Sequence, residues 1–228
     1  MSARDNILAK LRSALAKGDN DIAMPPVQDY YATLPSQDRA ARVKLLRSLL
    51  EVSHAEVIVA GASAWPALVA ARLGELGVRR LALTLAAPES AQLSQALEGK
   101  VTVVPFDRSI DAWKQDLFDT VDAGFTVADS AIAATGTLIL KSSPDLPRSL
   151  SLVPPLHVAL VRAENIHDHM FAAAAAEQWA DGLPTNLVMV SGPSKTSDIQ
   201  QTLAYGAHGP KQMLVVIVHE GANMGAAA

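Results

Sequence analysis

The residue types able to do chemistry in this chain are gathered in a few short blocks. Ser191-Gly192-Pro193-Ser194-Lys195-Thr196-Ser197-Asp198 follows an apolar run at 187–190 and precedes a segment, 198–204, that reads as a helix. A strand end that turns through glycine and hydroxyl residues into a helix aims free backbone N–H groups at one point. That geometry suits an anion, with Lys195 as the added positive charge. Ser191, Gly192, Ser194, Lys195, Thr196 and Asp198 are therefore candidate ligand-binding residues. The same residues also read as an ordinary helix start, with Ser197 as N-cap and Gln200 closing a capping box. The block is not a Walker A loop, whose spacing would need glycine where Met189 and Ser194 stand.

Thr135-Gly136-Thr137 is the second block: its glycine permits close backbone approach and its threonines supply two hydroxyls, unless it is simply a tight hairpin turn. The third is Gly206-Ala207-His208-Gly209-Pro210, in which Gly206 stops a helix and His208 and Gly209 sit at a turn. His208 there is either a ligand contact or a solvent-exposed loop histidine. Arg148 and His157 are polar groups beside prolines near the middle of the chain, and Arg148 joins the candidate binding set. His167 and His169 stand two apart on a segment that reads as helix, a poor arrangement for a metal. No glutamate occurs between Glu98 and Glu164 or between Glu177 and Glu220, so none of these loops carries a glutamyl nucleophile or base.

The elements that must position these blocks follow from hydrophobic periodicity. Residues 4–17 form an amphipathic helix with Ile7, Leu8, Leu11 and Leu15 on one side, ended by Gly18-Asp19-Asn20, and Met24-Pro25-Pro26 opens an extended linker. A second helix starts near Ser36 and carries Val43, Leu46, Leu49 and Leu50 inward. From residue 55, short apolar strands at 57–60, 81–85 and 101–104 alternate with helices at 65–76, 89–98 and 110–120. Residues 124–142 read as two extended pieces around the Thr-Gly-Thr turn. A strand at 157–161, a helix at 165–180, a strand at 187–190, the helix at 198–204 and a last strand at 213–218 complete the chain. This pattern predicts an α/β domain, a largely parallel sheet with helices on both faces, over residues 36–228, preceded by an N-terminal helix and linker at 1–35. Loops leaving the carboxyl ends of its parallel strands would bring Thr135–Thr137, Ser191–Asp198 and His208 to one crevice.

Composition narrows the function classes. The chain has 228 residues, 50% hydrophobic, with a net charge of −4 and no cysteine. It is long enough to bury a full core without staples. It has no thiolates for an iron–sulfur cluster, which would have to come from a partner. The acidic balance argues against nucleic-acid binding. No apolar stretch is of membrane-spanning length and no signal-peptide core is visible, so no membrane insertion and a cytoplasmic location are expected.

In order along the chain, GFTVADSAIAATGTLIL, PRSLSLVPPLHVALV, SGPSKTSDI and GAHGP resemble the lactate-utilization (LUD) domain family, over roughly residues 40–219. The resemblance implies a phosphosugar isomerase/CoA-transferase-like α/β fold. It further implies an accessory, non-redox role, with no cofactor of its own, in oxidising L-lactate to pyruvate alongside separate iron–sulfur proteins. A small anionic metabolite would bind in the loop pocket. The other readings are a stand-alone enzyme on a phosphosugar, CoA ester or folate, and a metabolite-binding regulatory protein. The family often has an acidic residue before Thr-Gly-Thr, where Ala134 stands, and arginine where Lys195 stands; lysine keeps the charge without the bidentate fork.

With no thiolate and no dinucleotide fingerprint, the purified chain is expected to be colourless and not to oxidise lactate alone. Visible absorbance and iron analysis through purification check this.

Overall fold

The computed structural model describes residues 2–17, 27–107, 109–197 and 203–220. The chain divides into two units, one ending at Ser36 and one beginning at Gln37. The first contains helices α1 (Ala3–Lys17) and α2 (Val27–Ala32). The second runs α3 (Arg39–Val52), β1 (Glu56–Gly61), α4 (Trp65–Glu75), β2 (Arg80–Leu83), α5 (Pro88–Leu97), β3 (Thr102–Pro105), α6 (Ile110–Asp119) and β4 (Ala123–Val127). It continues with β5 (Ser130–Ile132), β6 (Thr137–Lys141), α7 (Ser149–Leu152), β7 (Leu156–Arg162), β8 (Ile166–His167), α8 (Met170–Ala176), β9 (Leu187–Val190), β10 (Lys195–Ser197), β11 (Leu203–Tyr205) and β12 (Gln212–His219).

β1, β12, β7, β4, β2 and β3 form, in that order, a six-stranded parallel sheet. Successive side chains of a strand point to opposite faces, and both faces here are apolar. Leu156, Val158, Leu160, Leu214 and Val216 pack with Trp65, Val69 and Leu73 of α4 and Leu93 and Leu97 of α5. Trp65 stacks on Phe125 of β4 with ring centroids 6.1 Å apart. On the alternate positions, Ala159, Val161, Val215 and Ile217 pack with Val43, Leu46 and Leu50 of α3 and with Ala131, Leu138 and Leu140.

Those last residues belong to a second sheet, four-stranded, in the order β8-β5-β6-β9. Helices therefore do not cover both faces alone; a second sheet shares one face with α3. The start of α3 also shifts from Ser36: Asp38 is the N-cap, its side chain accepting from Ala41 N at 2.7 Å.

One expected helix is cut short. Residues 165–180 contain a strand pair to β5, then a helix of only 170–176. The Asn165 side chain donates to the Asp129 carbonyl at 3.0 Å, and the His169 side chain accepts from Ala172 N, so the helix begins only at Met170. Gln178, at φ 54, stops it. The expected 198–204 helix lies mostly on residues 198–202, outside the described residues; its last positions belong to Leu203–Tyr205, a strand paired antiparallel to Lys195–Ser197, so Ser197 is a strand residue.

A third cluster, Ala82, Val104, Trp113, Leu117 and Leu150, seats α6 and α7 on the sheet. A Cβ at Gly124 would lie 2.0 Å from the Leu150 carbonyl oxygen. Gly124→Ala is expected to cost more than about 3 kcal/mol by overpacking backbone that cannot yield. Gly74, inside α4 with nothing near its missing Cβ, is the control. Gly74→Ala should stabilise by up to about 1 kcal/mol. Urea denaturation of both variants measures the two shifts.

Candidate functional site

The antiparallel pairing of β6 with β9 sets Leu138 opposite Val190, which places the first residue of β6 beside the loop that leaves β9. Thr137 Oγ1 consequently lies 2.8 Å from Ser191 Oγ and 2.7 Å from Thr135 Oγ1. Gly136 adopts φ 62, the left-handed conformation that glycine accepts without strain, and its missing Cβ would stand 2.7 Å from Leu49 Cβ of α3. The Thr-Gly-Thr turn and the Ser-Gly-Pro-Ser loop are thus neighbours.

A second set of bonds ties that loop to the segment before β12. Ser194 N donates to the Pro210 carbonyl at 2.9 Å, Gly206 N donates to the Ser194 carbonyl at 2.9 Å, and His208 N donates to Ser194 Oγ at 3.4 Å. Gly192, at φ 125, passes so close to Ser53 that a Cβ would sit 2.8 Å from its carbonyl oxygen. These loops, α7 and β7 border an open pocket of about 180 Å³. Ser191, Gly192, Ser194, His208 and Gly209 line it, together with Ser151 and Leu152 of α7 and His157 of β7.

His157 and Met213 are the second residues of β7 and β12, so the pocket opens at the amino ends of these parallel strands. The carboxyl-end crevice expected from the sequence is not where the blocks meet. The reason is that β9 belongs to the second sheet and runs antiparallel to β6.

Of the remaining candidate residues, Thr135, Gly136 and Thr137 lie outside the lining, Thr137 reaching it only through Ser191. Arg148 is exposed at the start of α7, and Lys195 and Thr196 lie on β10, outside the lining. Asp198 lies outside the described residues. Among the described residues the lining contains no Lys, Arg, Asp or Glu.

His157 carries more weight here than its sequence setting indicated. It is 1% exposed, its Nε2 lies 2.8 Å from Thr126 Oγ1 on β4, and its Nδ1 has no hydrogen-bond partner. Burial alone lowers its pKa to about 4, so the ring is neutral at pH 7. A single histidine in an otherwise apolar strand is the signal that marked it.

The carboxyl ends of the strands hold a different arrangement, also unforeseen. Arg162 at the end of β7 donates Nε–H to Glu89 Oε1 of α5 at 2.9 Å, with a second contact from its Nη2. The depression beside this pair is lined by Glu89, Glu164 and Glu220 as well as Arg162. Its cation is already neutralised, so it does not suit an anion. No group of His, Asp and Glu side chains among the described residues is arranged to hold a metal ion, and no described helix is long and apolar enough to cross a membrane.

The depressed pKa of His157 has a consequence for stability. An unfolded histidine takes up a proton near pH 6.5, whereas the buried one resists until about 4. The neutral group's contribution is therefore whole above pH 6.5 and is lost as pH falls towards 4. From pH 7 to pH 5 it should remove about 2 kcal/mol of unfolding free energy. Urea denaturation at both pH values, compared with His157→Gln, should show a flatter profile for the variant.

Comparison with known proteins agrees with the fold. An uncharacterized protein of Neisseria meningitidis serogroup B is 38% identical over 223 residues, 96% of this chain and 94% of that one. Lactate utilization protein C of Oceanobacillus iheyensis is 32% identical over 117 residues, 50% of each chain. Its counterpart in Bacillus subtilis is 31% identical over 106 residues, 45% of this chain and 44% of that protein. The matches thus span about half the length of these lactate utilization proteins. The crystal structure of a DUF162 family protein from Deinococcus radiodurans matches with a TM-score of 0.60 at 25% identity, over 80% of this chain and 99% of that one. The family model described as LUD domain matches residues 41–218, and the chain belongs to that family.

Proposed function

We propose that this chain is an accessory, non-redox subunit of an L-lactate oxidation system, working in the cytoplasm with separate iron–sulfur proteins and binding a small anionic metabolite in the Ser191–His208 pocket. The observation that carries this reading is its similarity to lactate utilization protein C over half its length. Oxidation of lactate to pyruvate releases two electrons and two protons. This chain has no cysteine to ligate a cluster that would receive the electrons, which favours separate electron-carrying partners.

The pocket supports the binding half of the proposal. Its walls supply serine hydroxyls and a buried neutral imidazole over an apolar floor that includes Val188 and Met213. A volume of about 180 Å³ accommodates a molecule of a few heavy atoms or one end of a larger one. A phosphosugar would bring a charge near −2 to a lining that, among the described residues, has no lysine or arginine.

Tagged chain recovered from cells grown on L-lactate should bring down cysteine-rich iron–sulfur proteins. A deletion strain without another lactate dehydrogenase should fail on L-lactate and grow on glucose. Normal growth of that strain on L-lactate would overturn the proposal.

A further inference from the structure

A larger open pocket adjoins the Ser191–His208 one and shares Pro193 and Met213 with it. It lies wholly within the unit that begins at Gln37. Its volume of about 390 Å³ reaches the size of sites for small organic molecules. Leu76 of α4, Leu156 of β7 and Leu214 of β12 give it an apolar floor.

Two aromatic rings stand in its wall. His54, just past the end of α3, holds φ 69, the left-handed conformation that closes a helix. Its N–H donates to the Glu51 carbonyl and Ala55 N donates to the Leu50 carbonyl, both at 2.9 Å. Glycine closes a helix in this way without strain, whereas a histidine does so at a cost. The side chain held at that cost is set at right angles to Tyr205 of β11, with ring centroids 5.9 Å apart. Both residues are exposed, so a guest in the pocket can reach them. Perpendicular rings let a flat guest lie on the face of one and against the edge of the other.

The charges in the wall fix the sign of that guest. Arg72 of α4 donates to Glu56 of β1 at 2.9 and 3.0 Å and to Glu75 at 2.8 Å, so two carboxylates already surround its cation. Lys211 has no carboxylate partner among the described residues. Its stem is seated where a side chain at Gly206 would stand, Cγ lying 2.2 Å from the Cβ that Gly206 lacks. One uncommitted, positioned cation suits a single negative charge. A second charge would be repelled by Glu56 in the same wall.

We propose that this pocket binds a flat aromatic monoanion, its ring against His54 and Tyr205 and its anionic group paired with Lys211 Nζ. The site is separate from the Ser191–His208 pocket and goes beyond the lactate-oxidation reading, on which it does not depend.

The test is a titration of the full chain, followed in proton–carbon spectra of the aromatic rings. Sodium 2-naphthoate, neutral 2-naphthamide, non-planar cyclohexanecarboxylate and inorganic phosphate are the probes. The His54 and Tyr205 signals are assigned by their loss in His54→Gly and Tyr205→Leu. Naphthoate should shift both rings saturably, with a Kd of about 1 mM or tighter. The other three probes should bind at least about tenfold more weakly. Lys211→Gln, at an exposed position that leaves the core intact, should weaken naphthoate about tenfold and leave naphthamide unchanged. Lys211→Arg should restore most of the loss. His54→Gly should raise the melting temperature by about 2 °C while weakening naphthoate at least about threefold. The proposal is overturned if naphthoate shifts neither ring, if naphthamide binds equally well, or if Lys211→Gln binds naphthoate as the wild type does. It is also overturned if His54→Gly melts higher with its affinity unchanged, for His54 would then only end the helix. None of these results bears on the recovery of iron–sulfur proteins, which tests the subunit role separately.

Discussion

Much of the functional half of this molecule depends on backbone pressed against backbone, the Leu150 carbonyl of α7 on Gly124 of β4. A side chain at 124 would overlap that carbonyl, at 2.0 Å. The contact sets the height of α7 above the sheet, and α7 then contributes Ser151 and Leu152 to the pocket and covers the region where His157 leaves β7. Leu150 itself is fully buried with Trp113 and Leu117, so the short helix is anchored by one leucine and one glycine and not by its own hydrogen bonds. A four-residue helix has no independent stability, and packing alone holds it.

The second sheet imposes a complementary constraint, because its hairpin must carry polar groups into a crowded region. Glu177 after α8 accepts from Ser130 of β5, from Trp179 Nε1 at 2.9 Å and from Lys141 Nζ of β6 at 2.8 Å. Burial works against its charge, but those hydrogen bonds outweigh it and hold the carboxyl below its ordinary range. Asp129 shows the opposite balance: burial pushes it up, although Lys141 N donates to it at 2.7 Å. This network joins α8, β5 and β6 side by side, which fixes where β6 begins. The position of Thr137 beside Ser191 follows from that and from the register with β9.

The sequence was legible where periodicity is local. The alternation from residue 55 to 120 corresponds to β1 through α6, and Val43, Leu46 and Leu50 are buried as their spacing required. The binding blocks were legible as residue types, since glycines at 136 and 192 mark places where α3 or Ser53 comes within contact of the backbone. Pairing partners were not legible. Leu203–Tyr205, the end of a segment that read as helix, is instead held as a strand against Lys195–Ser197. An alanine-rich run likewise favoured a long helix, and pairing of Ile166 and His167 with β5 shortened it. In both cases long-range hydrogen bonds overrode local propensity. The location of the pocket was hidden for the same reason, because it hangs on β9 joining the second sheet.

The two ends of the parallel sheet divide the work differently from the usual expectation for open α/β sheets, in which ligands sit at carboxyl ends. Here the carboxyl end of β7 is closed by Arg162 and Glu89, a pair in which the carboxylate raises the guanidinium further from neutrality. Glu89 is nearly inaccessible, so removing Arg162 would leave a buried charge behind, and the pair reads as a lock between β7 and α5. The amino end of the same strand has the opposite chemistry: one buried imidazole, no carboxylate, lysine or arginine among the described lining residues, and a ring nitrogen without a hydrogen-bond partner. One strand thus carries a satisfied ion pair at its tail and an unsatisfied polar group at its head. An unpaired buried polar group is costly to a folded chain, and that difference, more than the size of either depression, separates the two ends.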